Sequence, residues 1–288
     1  MITSSTKLNF LLAFCLAVLV PAALEAGYGN DAFEDDPSLR QKDDLEWPEV
    51  EFPSADERGK GFKAGETFSY RARWGIFKKA GSMSFSTENA PNSGGKAITV
   101  RTDVASRGLI KKLYPLQMKA IALIDTENWR VVRNQTLEKS GSDHKSNVTL
   151  FDFDRMLMNY EDKFRPERNH IRELPYDCPV DYASAFLQIR GFDLEVGTVY
   201  PLFITTKGKF YYAQLKVMEM ETLKTVLGEK ECFRLEPISS YPQSKVFREG
   251  GKMALWVTND QDRIPVQLEV KAPVGTASIR LESYTTEG

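Results

Sequence analysis

The chain has 288 residues, 42% of them hydrophobic and 27% charged, with 38 basic against 40 acidic side chains. That composition supplies a sizeable core, while so even a charge gives no concentrated basic field for a nucleic-acid groove. Two histidines and three cysteines, with no CxxC spacing, argue against zinc.

The first 26 residues read as a secretory signal, with Lys7 as the positive region and Phe10 to Val20 as the apolar run. Pro21, Ala22, Ala23 and Ala26 offer small residues for cleavage, expected after Ala26. The run is about half the roughly 20 residues that span a bilayer. Cys15 lies inside the run, which argues against a lipoprotein cysteine. The expected location is therefore periplasmic or secreted, with no later segment apolar enough to cross a membrane. Cleavage leaves Cys178 and Cys232, an even pair that an oxidising compartment allows to form a disulfide. The alternative is two buried free thiols.

Residues 27–60 hold eleven acidic and four basic residues, a balance of −7, which leaves +5 for residues 61–288. This leader is poor in aliphatic residues and carries Pro37, Pro48 and Pro53. Such composition predicts a flexible tail, with Leu45, Trp47, Val50 and Phe52 as its candidate docking residues.

From Phe62 the pattern changes. Glu66 to Trp74 alternates, with Phe68, Tyr70, Ala72 and Trp74 on one face and Arg71 and Arg73 on the other. Strands are predicted at Ser82 to Thr87, Ala97 to Val104, Leu116 to Ile124, Trp129 to Leu137, Asn147 to Phe153 and Met156 to Tyr160. A short helical turn is predicted within Ser106 to Tyr114. Tyr182, Ala185, Phe186 and Ile189 then form a helical stripe, with Asp181 as N-cap and Gly191 as the stop. Strands resume at Tyr200 to Thr205, Phe210 to Met220 and Glu231 to Pro237. Leu255 to Thr258 and Ile264 to Val270 flank the polar turn Asn259 to Arg263 as a hairpin, and a further strand ends at Leu281. The predicted fold is all-β and single-domain over residues 61–288, an antiparallel barrel or strongly curved sheet with one short packed helix.

Groups with catalytic potential are few. His144 and His170 sit among polar residues and read as exposed. Asp152 and Asp154 alternate with Phe151 and Phe153, which predicts both carboxylates on one strand face, the pairing a glycoside hydrolase would use. Asp260 and Asp262 fall in a turn, where Asp is favoured for backbone reasons. No catalytic residue, cofactor or metal site is assigned. The aromatic residues, including Phe203, Phe210, Tyr212 and Trp256, either fill one core or line a ligand cavity.

Several blocks resemble an exported bacterial family, domain-of-unknown-function family 3108. They are Gly65-Glu66-Thr67-Phe68-Ser69-Tyr70 with Ala80-Gly81, Phe151-Asp152-Phe153-Asp154, Asp181-Tyr182-Ala183-Ser184-Ala185-Phe186 leading to Arg190, Lys224-Thr225 with Gly228 to Cys232, and Trp256 to Val266. The resemblance spans Phe62 to Ser283. It implies an exported β-rich domain of uncharacterised role and supplies no site residues. The expected function is a non-enzymatic cell-envelope binding protein for an apolar ligand or envelope component. The alternatives are a carbohydrate-active enzyme and a structural or assembly factor.

Overall fold

A computed structural model describes residues 36–41, 45–242, 253–272 and 275–287. The expected signal and the first part of the leader lie outside these residues.

Alternation of apolar and polar side chains, broken by short turns, folds the domain into two meanders. The first contains β1 (Glu66–Trp74), β2 (Phe77–Asn89), β3 (Ala97–Ser106), β4 (Leu116–Asp125), β5 (Arg130–Ser140), β6 (Asp143–Asp152), β7 (Leu157–Asp162) and β8 (His170–Glu173). The second contains β9 (Val199–Thr206), β10 (Lys209–Thr225), β11 (Gly228–Tyr241), β12 (Met253–Thr258), β13 (Pro265–Ala272) and β14 (Gly275–Thr286). The first and last strands pair antiparallel, Glu66 opposite Thr286 and Trp74 opposite Ala277. That pairing joins the meanders into one 14-stranded antiparallel sheet with β8 and β9 at its edges.

An exposed edge invites pairing with another chain, and here irregular segments cover both. The Val180 N–H donates to Phe203 O at 2.9 Å, and Thr205 N–H donates to Val180 O at 2.8 Å, along β9. The Gln41 N–H donates to Ile171 O of β8 at 2.8 Å. The sheet curls until the two edges meet without a closing ladder. His170 Nε2 of β8 lies 2.9 Å from Gly208 O in the β9–β10 turn. Next to it, Lys207 Nζ reaches Glu138 Oε2 of β5 at 3.0 Å. The expected strongly curved sheet is therefore the observed fold.

Among the described residues, three short α-helices complete it: α1 (Ala55–Gly59), α2 (Gly108–Leu113) and α3 (Tyr182–Ile189). Asp181 caps α3 by accepting from Ser184 N–H at 2.7 Å. Helix α3 stands between two apolar clusters, with Ala183 and Leu187 in the larger and Ala185 and Ile189 in the other. Phe186 is half-buried and packs against both.

The flexible-leader expectation does not hold for residues 45–60. Trp47 and Phe52 pack against the larger cluster. Ser54 and Glu57 form a capping box at the start of α1. Arg58 is buried and donates to Pro53 O at 2.6 Å and Asn128 O at 2.8 Å. A Cβ on Gly61 would lie 1.8 Å from Leu187 O, and one on Gly191 would lie 2.1 Å from Glu57 O, so backbone meets backbone where α1 packs on α3. Net composition hid this because a few well-placed aromatic and glycine contacts offset the ordering cost of a polar segment.

Candidate functional site

The carboxylate pair expected on one strand face is not there. β6 ends at Asp152, and Asp154 is exposed in the following turn. Asp152 holds that turn by accepting from Arg155 N–H at 3.0 Å, and the Arg155 side chain approaches it at 3.5 Å. Phe151 and Phe153 stack on each other at 6.1 Å. His144 is exposed as expected. His170 is half-buried, because its ring lies tilted against Tyr160 at 5.1 Å and bonds the β9–β10 turn. Asp260 accepts from Lys230 Nζ at 2.9 Å and from Thr258 Oγ1 at 2.7 Å within its hairpin.

For Cys178 and Cys232, where the sequence leaves open a disulfide or two buried thiols, both cysteines are buried and free in this structure. Burial pushes the Cys178 thiol up to about 12 and the Cys232 thiol up to about 11. Among the described residues, no group of three or more His, Cys, Asp or Glu is placed to hold a metal ion.

Sequence reading missed the most buried ion pair among the described residues. Glu66 and Arg190 form a two-pronged ion pair, Nη1 to Oε2 at 2.6 Å and Nη2 to Oε1 at 2.8 Å, with both side chains 1% exposed. Tyr284 donates its hydroxyl to Glu66 Oε1 at 2.6 Å. Arg190 Nε donates to Asp262 O at 3.1 Å. The group ties β1, the end of α3, the β12–β13 turn and β14 together, and all its partners are satisfied, as buried charge requires. Burial and the Glu66 carboxylate hold the Tyr284 phenol well above its ordinary range. A signal existed, since Glu66 shares the inward parity of Phe68, Tyr70 and Ala72. With every side-chain nitrogen of Arg190 and both oxygens of Glu66 partnered, this group is a structural lock.

Among the described residues, most of the aromatic side chains pack in or against the two apolar clusters. The gap beside Phe186, bounded by Tyr70, Phe85 and Leu255, measures about 10 Å³, about the space of one water. An open cleft of about 300 Å³ lies at the β8 edge, between Arg40, Arg155 and Glu173.

A half-covered aromatic groove lies across β9–β11. Its bed is Tyr176, Phe203 of β9, Phe210 and Tyr212 of β10, and Tyr241 of β11. The extended leader crosses it with two rings. Trp47 stands edge-on to Tyr176, Phe203, Phe210 and Tyr241 at centroid distances of 6.0, 6.2, 6.4 and 5.5 Å. Phe52 meets Tyr176 at 4.9 Å and Tyr212 at 6.3 Å. Such edge-to-face pairs add about 0.5–1.5 kcal/mol each beyond area burial. Tyr176 donates its hydroxyl to Pro48 O at 2.6 Å, fixing the strap between its two anchors. Burial pushes the Tyr176 phenol up to about 12, so it stays a donor across the physiological range. Both strap anchors remain half-buried.

With this geometry in place, comparison with known proteins adds the following. The family model described as "Protein of unknown function (DUF3108)" matches residues 69–282. A β-barrel-like protein of the unknown-function family DUF1849 from Brucella abortus superposes with a TM-score of 0.51 at 6% identity, covering 77% of this chain and 98% of its own. The hypothetical protein CT021 from Chlamydia trachomatis gives a TM-score of 0.32 at 10% identity, over 81% of this chain and 93% of its own. No curated protein sequence matches the chain. The likeness to the Brucella protein is one of fold.

Proposed function

The chain belongs to the DUF3108 family, a family of unknown function matched over residues 69–282, and from that premise we propose that it is a non-enzymatic binding protein of the cell envelope. Its apolar N-terminal run and small-residue cleavage region support export. The observation that carries the binding reading is the aromatic groove over β9–β11, which its own leader straddles with Trp47 and Phe52. The groove suits an extended apolar chain or a peptide bearing spaced aromatic residues, because that is the chemistry of its present occupant. The filled interior beside Phe186 directs the reading to this groove and away from an enclosed ligand.

The test uses a variant with Trp47→Ala and Phe52→Ala, alongside the unaltered chain, titrated with a peptide of residues 45–53. The variant should bind the peptide saturably and the unaltered protein more weakly, since its own strap competes. A folded variant that binds the peptide no better than the unaltered protein would overturn the reading, leaving the strap as permanent structure.

A further inference from the structure

The end of the sheet opposite the Glu66–Arg190 lock presents exposed apolar and cationic side chains together. β2 extends past its last pairing with β3, Gly81 opposite Ser106, so the β1–β2 hairpin overhangs β3 while β1 stays paired with β14 up to Trp74. Helix α2 packs on this overhang. The Arg107 N–H donates to Ala80 O at 2.8 Å, and a Cβ on Gly108 would sit 3.0 Å from Lys79 O. Ile110, 1% exposed, anchors the helix in the core.

What remains outward is unusual for a solvated surface. Ile76 at the hairpin tip is 88% exposed, and Leu109 and Leu113, one helical turn apart on α2, are 54% and 57% exposed. Around them Lys78, Lys79, Arg107, Lys111 and Lys112 are all exposed. Segments 71–81 and 105–117 contain no acidic residue. None of these four lysines has a carboxylate within ion-pair distance among the described residues. The adjoining β5–β6 turn touches the exit of α2 through Gly141 N–H to Pro115 O at 2.9 Å. Its carboxylate, Asp143, is already held by Arg165 at 2.7 Å and Lys145 at 3.4 Å. Half-buried Trp74 and Tyr114 stand at the rim, where amphipathic rings suit a water–hydrocarbon boundary.

We propose that this end docks on the surface of a bilayer containing anionic phospholipid, with Ile76, Leu109 and Leu113 inserted at the acyl boundary and the lysines on the headgroup phosphates. Exposed apolar side chains ringed by lysine are the pattern of interfacial association, in which area burial and attraction to anionic lipid act together. A soluble polyanion would use the lysines and leave the three apolar side chains in water, so the apolar tip favours the bilayer. The proposal concerns a different surface from the aromatic groove and stands independently of it.

The experiment is co-sedimentation of the chain from residue 27 onward, which keeps every described residue, with phosphatidylcholine vesicles lacking or containing phosphatidylglycerol. Binding should require phosphatidylglycerol and weaken as salt rises. Lys111→Gln with Lys112→Gln should lower partitioning roughly 25-fold, about fivefold for each cation. Leu109→Ser with Leu113→Ser should also lower it, and Ile76→Ser, at an exposed hairpin tip, repeats that test without touching the helix. Equal binding to both vesicle types overturns the proposal. So does full vesicle binding by the apolar variants with loss only in the lysine variant, which marks a general polyanion surface; soluble polyphosphate would then bind as well as vesicles do.

Discussion

The two ends of β1 treat charge in opposite ways. At Glu66 a carboxylate is enclosed, gripped by Arg190 and Tyr284, and 1% exposed. Roughly 20–26 Å away by strand rise, alongside Ala72 to Trp74, Lys78 and Lys79 stand exposed near Ile76. A charge withdrawn from water must be fully paired, and it then binds together the elements that supply its partners. A charge left in water holds nothing together, so its cluster contributes to association and not to the fold. The lock end should therefore answer to mutation through stability, and the lysine end through binding.

The largest expected effect breaks the lock. Arg190→Met strands the Glu66 carboxylate in the core and should cost about 3–5 kcal/mol, the usual loss when one partner of a buried pair is removed. Chemical denaturation would show a lower midpoint with an unchanged slope. Adding Glu66→Leu sharpens the test, because the double variant should recover part of the loss even though the Tyr284 hydroxyl then lacks its acceptor. A double variant as unstable as the single one would mean the charge itself was not the burden.

Next in size is Gly191→Ala. Its Cβ would lie 2.1 Å from Glu57 O, a backbone atom that yields only if α1 lifts off α3. The expected cost is about 3 kcal/mol, at the upper end for overpacking, measured by the thermal midpoint together with proteolysis within residues 45–60. Trp47→Ala should follow at about 2 kcal/mol, below the full cost of emptying a buried aromatic site, because the ring is half-buried. Unchanged stability in that variant would return the leader to the status of a tail.

Smaller still is a pH effect at the seam where the sheet edges meet. Burial raises the Glu138 carboxyl, but Lys207 and Lys145 outweigh it and hold the group below its ordinary value. A depressed carboxyl contributes stability that is complete above its unfolded pKa, about 4.3, and is lost as pH falls through the folded value. The thermal midpoint should thus fall more steeply below about pH 4 in the unaltered protein than in Glu138→Gln. Parallel curves would show that the seam holds without this ion pair. The effect is modest because the Lys207 side chain is 46% exposed.

How much of this was legible depends on the range of the interaction. β1 occupies the predicted Glu66 to Trp74 because alternation is a local property of the chain. Helix α3 occurs where the Tyr182–Ile189 stripe placed it, with Asp181 as its cap. Phe151-Asp152-Phe153-Asp154 misled because two alternating pairs look the same in a strand and in a strand running into a turn. Asp152 decided the outcome by bonding Arg155 N–H. The four residues of β8 were too few to show a period. The Glu66–Arg190 pair joins positions 124 apart, and the bed beneath Trp47 comes from three strands and a loop. Neither leaves a pattern within a local window, although a glutamate on an otherwise apolar strand face was a visible demand for a distant cation.

The smallest stability effect belongs to the lysine end and completes the contrast. Lys111→Gln with Lys112→Gln alters two exposed side chains in the last turn of α2, where cations favour the helix dipole only weakly. Surface changes of this kind usually stay within about 0.5 kcal/mol, so the thermal midpoint should barely move. The same variant is expected to lose most of its binding to anionic vesicles. If it instead unfolds as readily as Arg190→Met, the lysines are part of the scaffold, and the division between a locked end and a docking end is wrong. If the midpoint holds while vesicle binding falls, stability and association are carried by opposite ends of the sheet.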